Sequence, residues 1–326
     1  MYKRIFLYFL YPRIISTAYL LPILLTYTNI LTLIYLNLLM ISNITEAPIV
    51  SVGLTTRNRA TLLSNALDAL LDQTFRNIEI IVSDNGSSDN TPDVVRYYME
   101  RDPRIFYFRQ NGLIGGLDNL AFTVKKARGR YFMWACDDDW WDPRFIEVLV
   151  AVLEKCPEYN VAMSYFNEKR VGEGIEEILV RTHDYTNMSN LELYRMYMRG
   201  KVRPIFLFGL YRTNIRKKVD IPHCFNGIYL FLAEIVLSGK AYSVQEVLFT
   251  WRNDLRPTQV RHTEHPYAKA QKTAFAITLY LLLALFIIFG SSIVPWHRKL
   301  FVFGPWFGRL WYYKRKLFKE WFGFIK

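Results

Sequence analysis

The chain has 326 residues, with 41 Lys and Arg against 29 Asp and Glu and a formal charge of +12. The excess sits at the ends: residues 1–45 carry +3 and residues 273–326 carry +7, which leaves +2 for the middle. That distribution argues against a nucleic-acid groove in the folded body and for contact with an anionic membrane surface. Cys136, Cys156 and Cys224 show no C-x-x-C spacing, which suits a reducing compartment, and the five histidines show no zinc-ligand spacing.

Ile14 to Thr45 contains no charged residue and is rich in Leu, Ile and Tyr, long enough to cross a bilayer once. A cleavable signal peptide is a competing reading, disfavoured by the length of the apolar part, and a start at Met40 is a third. A βα alternation follows. Ile49 to Leu54 reads as a strand, then a helix over Ala60 to Leu71 with Asn58 as a candidate cap. Ile78 to Val82 is a second strand ending at Ser83-Asp84, and Thr91-Pro92-Asp93 opens a second helix. Ile105 to Phe108 is a third strand, Leu117 to Ala127 a third helix, and Tyr131 to Cys136 a fourth strand. Repeated βα units predict an α/β fold with a doubly wound, mainly parallel sheet.

The second half is less regular. Val161 to Tyr165, Pro204 to Tyr211 and Val247 to Trp251 read as strands, and Leu230 to Leu237 as a helix ended by Gly239. Thr273 to Trp296 is a second uncharged run, able to span or to lie as a buried hairpin. The aromatics after it, Phe301 to Tyr313, alternate with Arg309 and Lys314 to Lys316, a mixture that suits an interfacial helix on anionic lipid.

Three polar clusters end the first, second and fourth strands: Thr55 to Arg59, Ser83 to Asp89, and Asp137-Asp138-Asp139. In a parallel sheet these ends share one crevice, where ligands bind. Clustered carboxylates there favour a hard cation, Mg2+ or Mn2+, shared with substrate phosphates. The bland reading of the aspartates is a solvated turn before the helix near Pro143. Asp84 has its own bland reading as the cap of the Asn85-Gly86 turn, Asn58 as a helix cap and Asn119 as a helix-surface group. There is no G-x-G-x-x-G after the first strand and no G-x-x-x-x-G-K-[ST], so a dinucleotide site and a P-loop are not supported.

Residues 48–145 resemble the nucleotide-binding half of family 2 glycosyltransferases, which have the GT-A fold. The resemblance rests on Val50 to Arg59, Val82 to Thr91, Asn119 and Gly129 to Pro143, and continues more weakly to Trp251-Arg252. It implies that Thr56 and Arg57 touch the nucleotide base, although the family commonly has an aromatic residue at Arg57. It implies that Asp84 accepts from base or ribose, and that Asn58 and Asn119 belong to the nucleotide-sugar site. Asp137 would contact ribose or support the metal, and Asp138 and Asp139 would hold Mg2+ or Mn2+. The metal would neutralise the diphosphate leaving group.

Family members transfer sugar with inversion, using a carboxylate ahead of the helix matched by Leu232 to Lys240. That position is Ile228 here, which cannot take a proton. Asp220 and Glu234 are the nearest substitutes. The expected organisation is a hydrophobic membrane segment over 1–45, a GT-A domain over 46–270 with nucleotide-binding (46–145) and acceptor (146–270) halves, and a second membrane segment over 271–326. The expected activity is metal-dependent transfer from a nucleotide-diphosphate sugar to a saccharide or lipid-linked acceptor in surface polysaccharide synthesis, on the cytoplasmic face of a membrane. The alternative, motivated by Ile228, is a membrane-bound nucleotide-sugar binder without turnover.

Overall fold

The computed structural model describes residues 47–255, apart from 173, 199–201 and 225, and residues 276–317, apart from 305, 309, 312 and 314–316. The expected N-terminal membrane segment lies outside the described residues. The chain divides into two compact units, Met1–Ala47 and Pro48–Lys326, and every element below belongs to the second.

The first half follows the predicted alternation: β1 (Val50–Thr56), α1 (Ala60–Leu71), β2 (Ile78–Asp84), α2 (Thr91–Met99), β3 (Ile105–Arg109), α3 (Gly116–Lys126) and β4 (Tyr131–Cys136). The central strands are nearly continuous buried runs, as strands covered on both faces must be. Helix α1 buries Leu63, Ala66, Leu67 and Leu70, one stripe at helical spacing. Strands β1, β2, β3 and β4 pair in parallel, and β1, β2 and β4 start level, so Thr56 lies beside Asp84 on one side and Thr55 beside Cys136 on the other. The three polar clusters therefore end flush at one sheet edge. Gly129 permits the close approach that starts β4, because a Cβ there would stand 2.7 Å from the Ser51 nitrogen.

The second half holds β5 (Trp140–Trp141), α4 (Phe145–Lys155), β6 (Tyr159–Gly172), β7 (Ile175–Arg181), α5 (Asn190–Met198), β8 (Leu210–Arg212), α6 (Thr213–Arg216), α7 (Gly227–Ser238) and β9 (Lys240–Asp254). All the strands join one nine-stranded sheet in the order β3-β2-β1-β4-β8-β6-β9-β5, with β7 paired to β6. Two expectations need correction here. The sheet is mixed rather than mainly parallel, because β8 runs antiparallel to both β4 and β6, β7 to β6, and β5 to β9. Pro204 to Tyr211 is not one strand: Pro204–Phe208 forms a 3-10 helix and only the following three residues pair. Pro204 has no N–H to give a ladder and presets helical φ. Strand β9 pairs in parallel with β6, so two antiparallel steps through β8 bring β9 back to the direction of β4.

Beyond the sheet lie α8 (Ala276–Gly290) and α9 (Trp296–Lys299). Among the described residues no helix is long and apolar enough to cross a membrane, so of the two readings of the second uncharged run the spanning one is not supported. Helix α8 instead buries Tyr280, Leu281, Ala284 and Ile288. The Trp306 indole donates to the Leu281 carbonyl at 2.6 Å, and Arg298 reaches the Leu237 carbonyl of α7 at 2.8 Å. Elsewhere on α8, Leu282 and Phe286 are exposed, as are Trp296, Phe307 and Trp311 after it.

Candidate functional site

At the carboxyl ends of β1, β4 and β9 a cleft of about 350 Å³ opens. Its walls come from Thr55, Thr56, Arg57 and Arg59 after β1, Asn85 after β2, and Gly116, Asn119 and Leu120 of α3. Cys136, Asp137 and Asp138 form its floor, and Leu207, Phe208 and Trp251 to Asp254 close the far side.

The aspartate run is not a solvated turn. Asp137 and Asp139 are buried. Thr56 Oγ1 donates to Asp137 Oδ2 at 2.8 Å, and one Arg59 guanidinium nitrogen reaches Asp137 Oδ1 at 3.1 Å and Asp138 Oδ2 at 2.8 Å. Burial and the neighbouring Asp138 charge push the Asp137 carboxyl up to about 7, against the opposing pull of Arg59 and the Thr56 hydroxyl. Asp139 is also raised well above the carboxylate range, first by burial and then by Asp138. One Asp139 oxygen accepts the Arg252 backbone N–H at 3.0 Å; the other is buried with no hydrogen-bond partner. The Cys136 sulfur and carboxyl oxygens of Asp138 and Asp139 all lie within 4.8 Å of one another. A buried oxygen without a donor, beside two further ligand atoms, fits one divalent cation held by Asp138 and Asp139.

The other expected site residues divide. Thr56 and Arg57 line the cleft; Asn119 lines it too, held by hydrogen bonds with the Ser83 hydroxyl (2.6 Å) and carbonyl (3.1 Å). Asn58 does not cap α1 through its side chain and does not line the cleft. It takes left-handed backbone (φ 51°), and its Oδ1 accepts the Ser88 N–H at 2.8 Å. Its own N–H donates to Ser87 Oγ at 2.9 Å, so the β1 and β2 loops are stapled together. Asp84 is fully buried: one oxygen accepts from the Ser87 N–H (2.8 Å) and hydroxyl (2.5 Å), the other from the Tyr107 hydroxyl at 2.7 Å. In this geometry it shapes the loop that would face a nucleotide and presents no oxygen to the cleft.

Neither candidate base lines the cleft. Asp220 is exposed ahead of α7. Glu234 is buried two turns into α7, hydrogen-bonded with Ser291 beyond α8, and burial raises its carboxyl. The physical reason is helix phase: Glu234 falls on the face that packs toward the C-terminal segment. Asp254, not singled out in the sequence, is the carboxylate that lines the cleft outside the aspartate run. Arg59, Arg252 and Asn253 line the cleft as well, although the sequence assigns them no individual role. Their signal was present, since Trp251 to Asp254 is a polar cluster at a strand end, but its value depends on the direction of β9.

A second recess shares Asp138 and Arg252 and adds Asp139, Trp140, Asn65, Lys169 and Thr250. The Trp140 indole is 48% exposed there, an unusual state for so large an aromatic.

Comparison with known proteins agrees with this geometry. An uncharacterised glycosyltransferase of Rickettsia typhi is 34% identical over 117 residues, 36% of each chain. A GalNAc(5)-diNAcBac-PP-undecaprenol beta-1,3-glucosyltransferase of Campylobacter jejuni is 40% identical over 93 residues, 28% of this chain and 30% of that protein. These matches thus span about a third of the relatives' own length. The crystal structure of S. aureus TarS 1-349 in complex with UDP-GlcNAc shares the fold, with a TM-score of 0.61 at 15% identity over 83% of this chain and 74% of that one. The family description Glycosyl transferase family 2 matches residues 51–224, more than half of the chain, with β2, β4, the aspartate run and all but the first residue of β1 inside it. The chain belongs to glycosyl transferase family 2.

Proposed function

We propose that the protein transfers a sugar from a nucleoside-diphosphate donor to a saccharide or lipid-linked acceptor, with Mg2+ or Mn2+ bound at Asp138 and Asp139. The observation that carries this reading is the convergence of Asp137, Asp138, Thr56, Arg57, Arg59 and Arg252 in one cleft at the ends of parallel strands. Such a site matches a diphosphate in charge and a ribose in hydrogen-bonding groups. The structural neighbour's complex with UDP-GlcNAc, and the undecaprenol-linked acceptor in the Campylobacter relative's name, support a nucleotide sugar and a lipid-linked saccharide as the substrate classes.

A divalent cation supplies neutralisation of the charge that develops on the departing diphosphate. The chain's own groups do the rest. Asn119 and Thr56, fixed by buried partners, orient the donor; Arg57 faces its base and Arg252 its phosphates. Transfer proceeds as a single displacement with inversion. The acceptor oxygen bonds to the anomeric carbon as the bond to the diphosphate oxygen breaks, and the acceptor proton passes to a carboxylate, for which Asp254 is placed. Trp140, exposed among Asn65, Lys169 and Thr250, offers the acceptor sugar an apolar face with polar groups around it. The exposed aromatics of α8 and the segment after it, together with the basic C-terminus, support association with an anionic membrane surface, with the catalytic unit on its cytoplasmic side.

Thermal shift with UDP, GDP and other nucleoside diphosphates, with and without Mn2+, tests the donor site, because a ligand of the native state raises its stability by mass action. Stabilisation by one nucleotide that needs the metal and is lost in Asp138→Asn is the expected result; no stabilisation by any of them overturns the reading. A second reading, donor binding without turnover, is favoured by Ile228 at the start of α7. Metal-dependent binding with no donor hydrolysis and no transfer to any lipid-linked acceptor would select it.

A further inference from the structure

Arg59 is held against Asp138, one of the two proposed cation ligands. One of its guanidinium nitrogens donates to Asp137 and Asp138 together, at 3.1 and 2.8 Å, and the side chain is only 15% exposed. This aim is built into the backbone. Asn58 before it takes φ 51°, a conformation that asparagine tolerates better than most residues, and is anchored to Ser87 and Ser88. The Arg59 N–H donates to Thr91 Oγ1 at 3.3 Å. The arginine is therefore directed at the aspartates by the segment that joins β2 to α2, which holds the backbone at Asn58 and Arg59.

The contact has a consequence for ligand binding. Asp138 is a proposed cation ligand, and its Oδ2 already accepts from Arg59. A divalent cation and a guanidinium a few ångströms apart repel strongly in a site of low dielectric. Arg59 cannot shed its charge, so once displaced it needs another anion within reach. Arg57 and Arg252 line the same cleft and increase that need. A diphosphate is the anion that the cleft fits.

Resting on the donor-site reading above, we infer that Arg59 is an exchangeable counter-ion: it keeps Asp137 and Asp138 paired until a cation and a nucleoside diphosphate arrive together, and then transfers its hydrogen bonds to the phosphates. Cation and nucleotide are thereby made mutually dependent, each binding weakly alone. The coupling is reciprocal, so it is readable from either ligand.

The test is calorimetric titration of the full chain with Mn2+ alone, with UDP or GDP alone, and with each in the presence of the other. In the wild type Mn2+ should bind about tenfold or more tighter in the presence of the nucleotide. In Arg59→Gln, Mn2+ alone should bind about tenfold tighter than in the wild type, because the aspartates are left unpaired, while the nucleotide binds more weakly and the mutual enhancement falls toward unity. Arg59→Lys keeps a charge beside buried Asp137 and so protects the fold; its single nitrogen should give intermediate coupling. Unchanged Mn2+ affinity and unchanged enhancement in both variants, with normal binding in the wild type, overturn this inference and leave the donor site standing. Failure of the wild type to bind either ligand overturns both.

Discussion

The backbone N–H of Arg252 donates to Asp139 Oδ1 at 3.0 Å, across 113 positions of sequence. The end of β9 thus holds the third aspartate of a run that β4 delivers. The two halves of the fold meet at the proposed cation site, and the bond leaves the second Asp139 oxygen buried and without a donor.

Asp138→Asn should weaken Mn2+-dependent nucleotide binding by about 100-fold or more, since it removes a direct ligand. Isothermal titration measures it, and the far-UV spectrum should be unchanged. Binding within threefold of the wild type would contradict the assignment.

The carboxylates separate by location. Asp220→Ala and Glu234→Gln should keep transfer rates within about threefold, because neither group reaches the cleft. Asp254→Asn should lower kcat by about 100-fold, as loss of a proton acceptor does. Initial rates at saturating donor decide, and a large loss in Glu234→Gln with an intact fold would restore that residue as the base.

Glu168 predicts a pH dependence of stability. It is buried on β6, and burial alone would raise its carboxyl. Hydrogen bonds from Arg181, Asn253 and Arg170 and the charge of Arg203 outweigh that and bring it down to about 2. A carboxyl depressed from 4.5 contributes stability that is present above pH 4.5 and is lost as pH falls toward 2. The contribution at neutral pH is about 3 kcal/mol. Urea denaturation at pH 7 and pH 3 should show about 2 kcal/mol of this loss in the wild type and a smaller one in Glu168→Gln.

Gly227 opens α7 where a Cβ would collide with the Pro222 carbonyl oxygen. Gly227→Ala should cost about 2–3 kcal/mol in chemical denaturation, the cost of overpacking a fixed backbone turn. A change below 0.5 kcal/mol, within about the range of a surface substitution, would mean that the turn relaxes freely.

Exposed Phe286, Trp296 and Trp311 predict lipid contact. The full chain should sediment with vesicles containing anionic phospholipid, less with neutral ones and less at high salt. Replacing the three by Ser should reduce binding by about tenfold or more, as lost apolar burial requires. Equal recovery of wild type and triple variant would contradict the membrane assignment.

The first half of the fold was legible because its signals are local. Strands β1, β2 and β4 are apolar runs with polar ends, α1 has its leucines at helical spacing, and Pro92 marks the start of α2. Chain direction in a parallel sheet then suffices to bring Thr56 and Asp137 to one edge. Pro204 misled for the same reason: a run of apolar residues reads as a strand until its pairing partners are known.

By itself the sequence determined that polar strand ends and three successive aspartates would gather at one edge of an α/β sheet, because backbone period and strand polarity decide that much. Only the tertiary structure decided which side chains turn into the site. Asp84 faces inward to Ser87 and Tyr107, Glu234 faces Ser291, and Arg59 faces the aspartates. Arg252 and Asp254 reach the cleft because β8 reverses direction twice in the sheet and sets β9 parallel to β4. The choice of partner for a polar group is made by whichever opposite charge or donor lies within about 3 Å, and that neighbour is supplied by packing rather than by position in the chain.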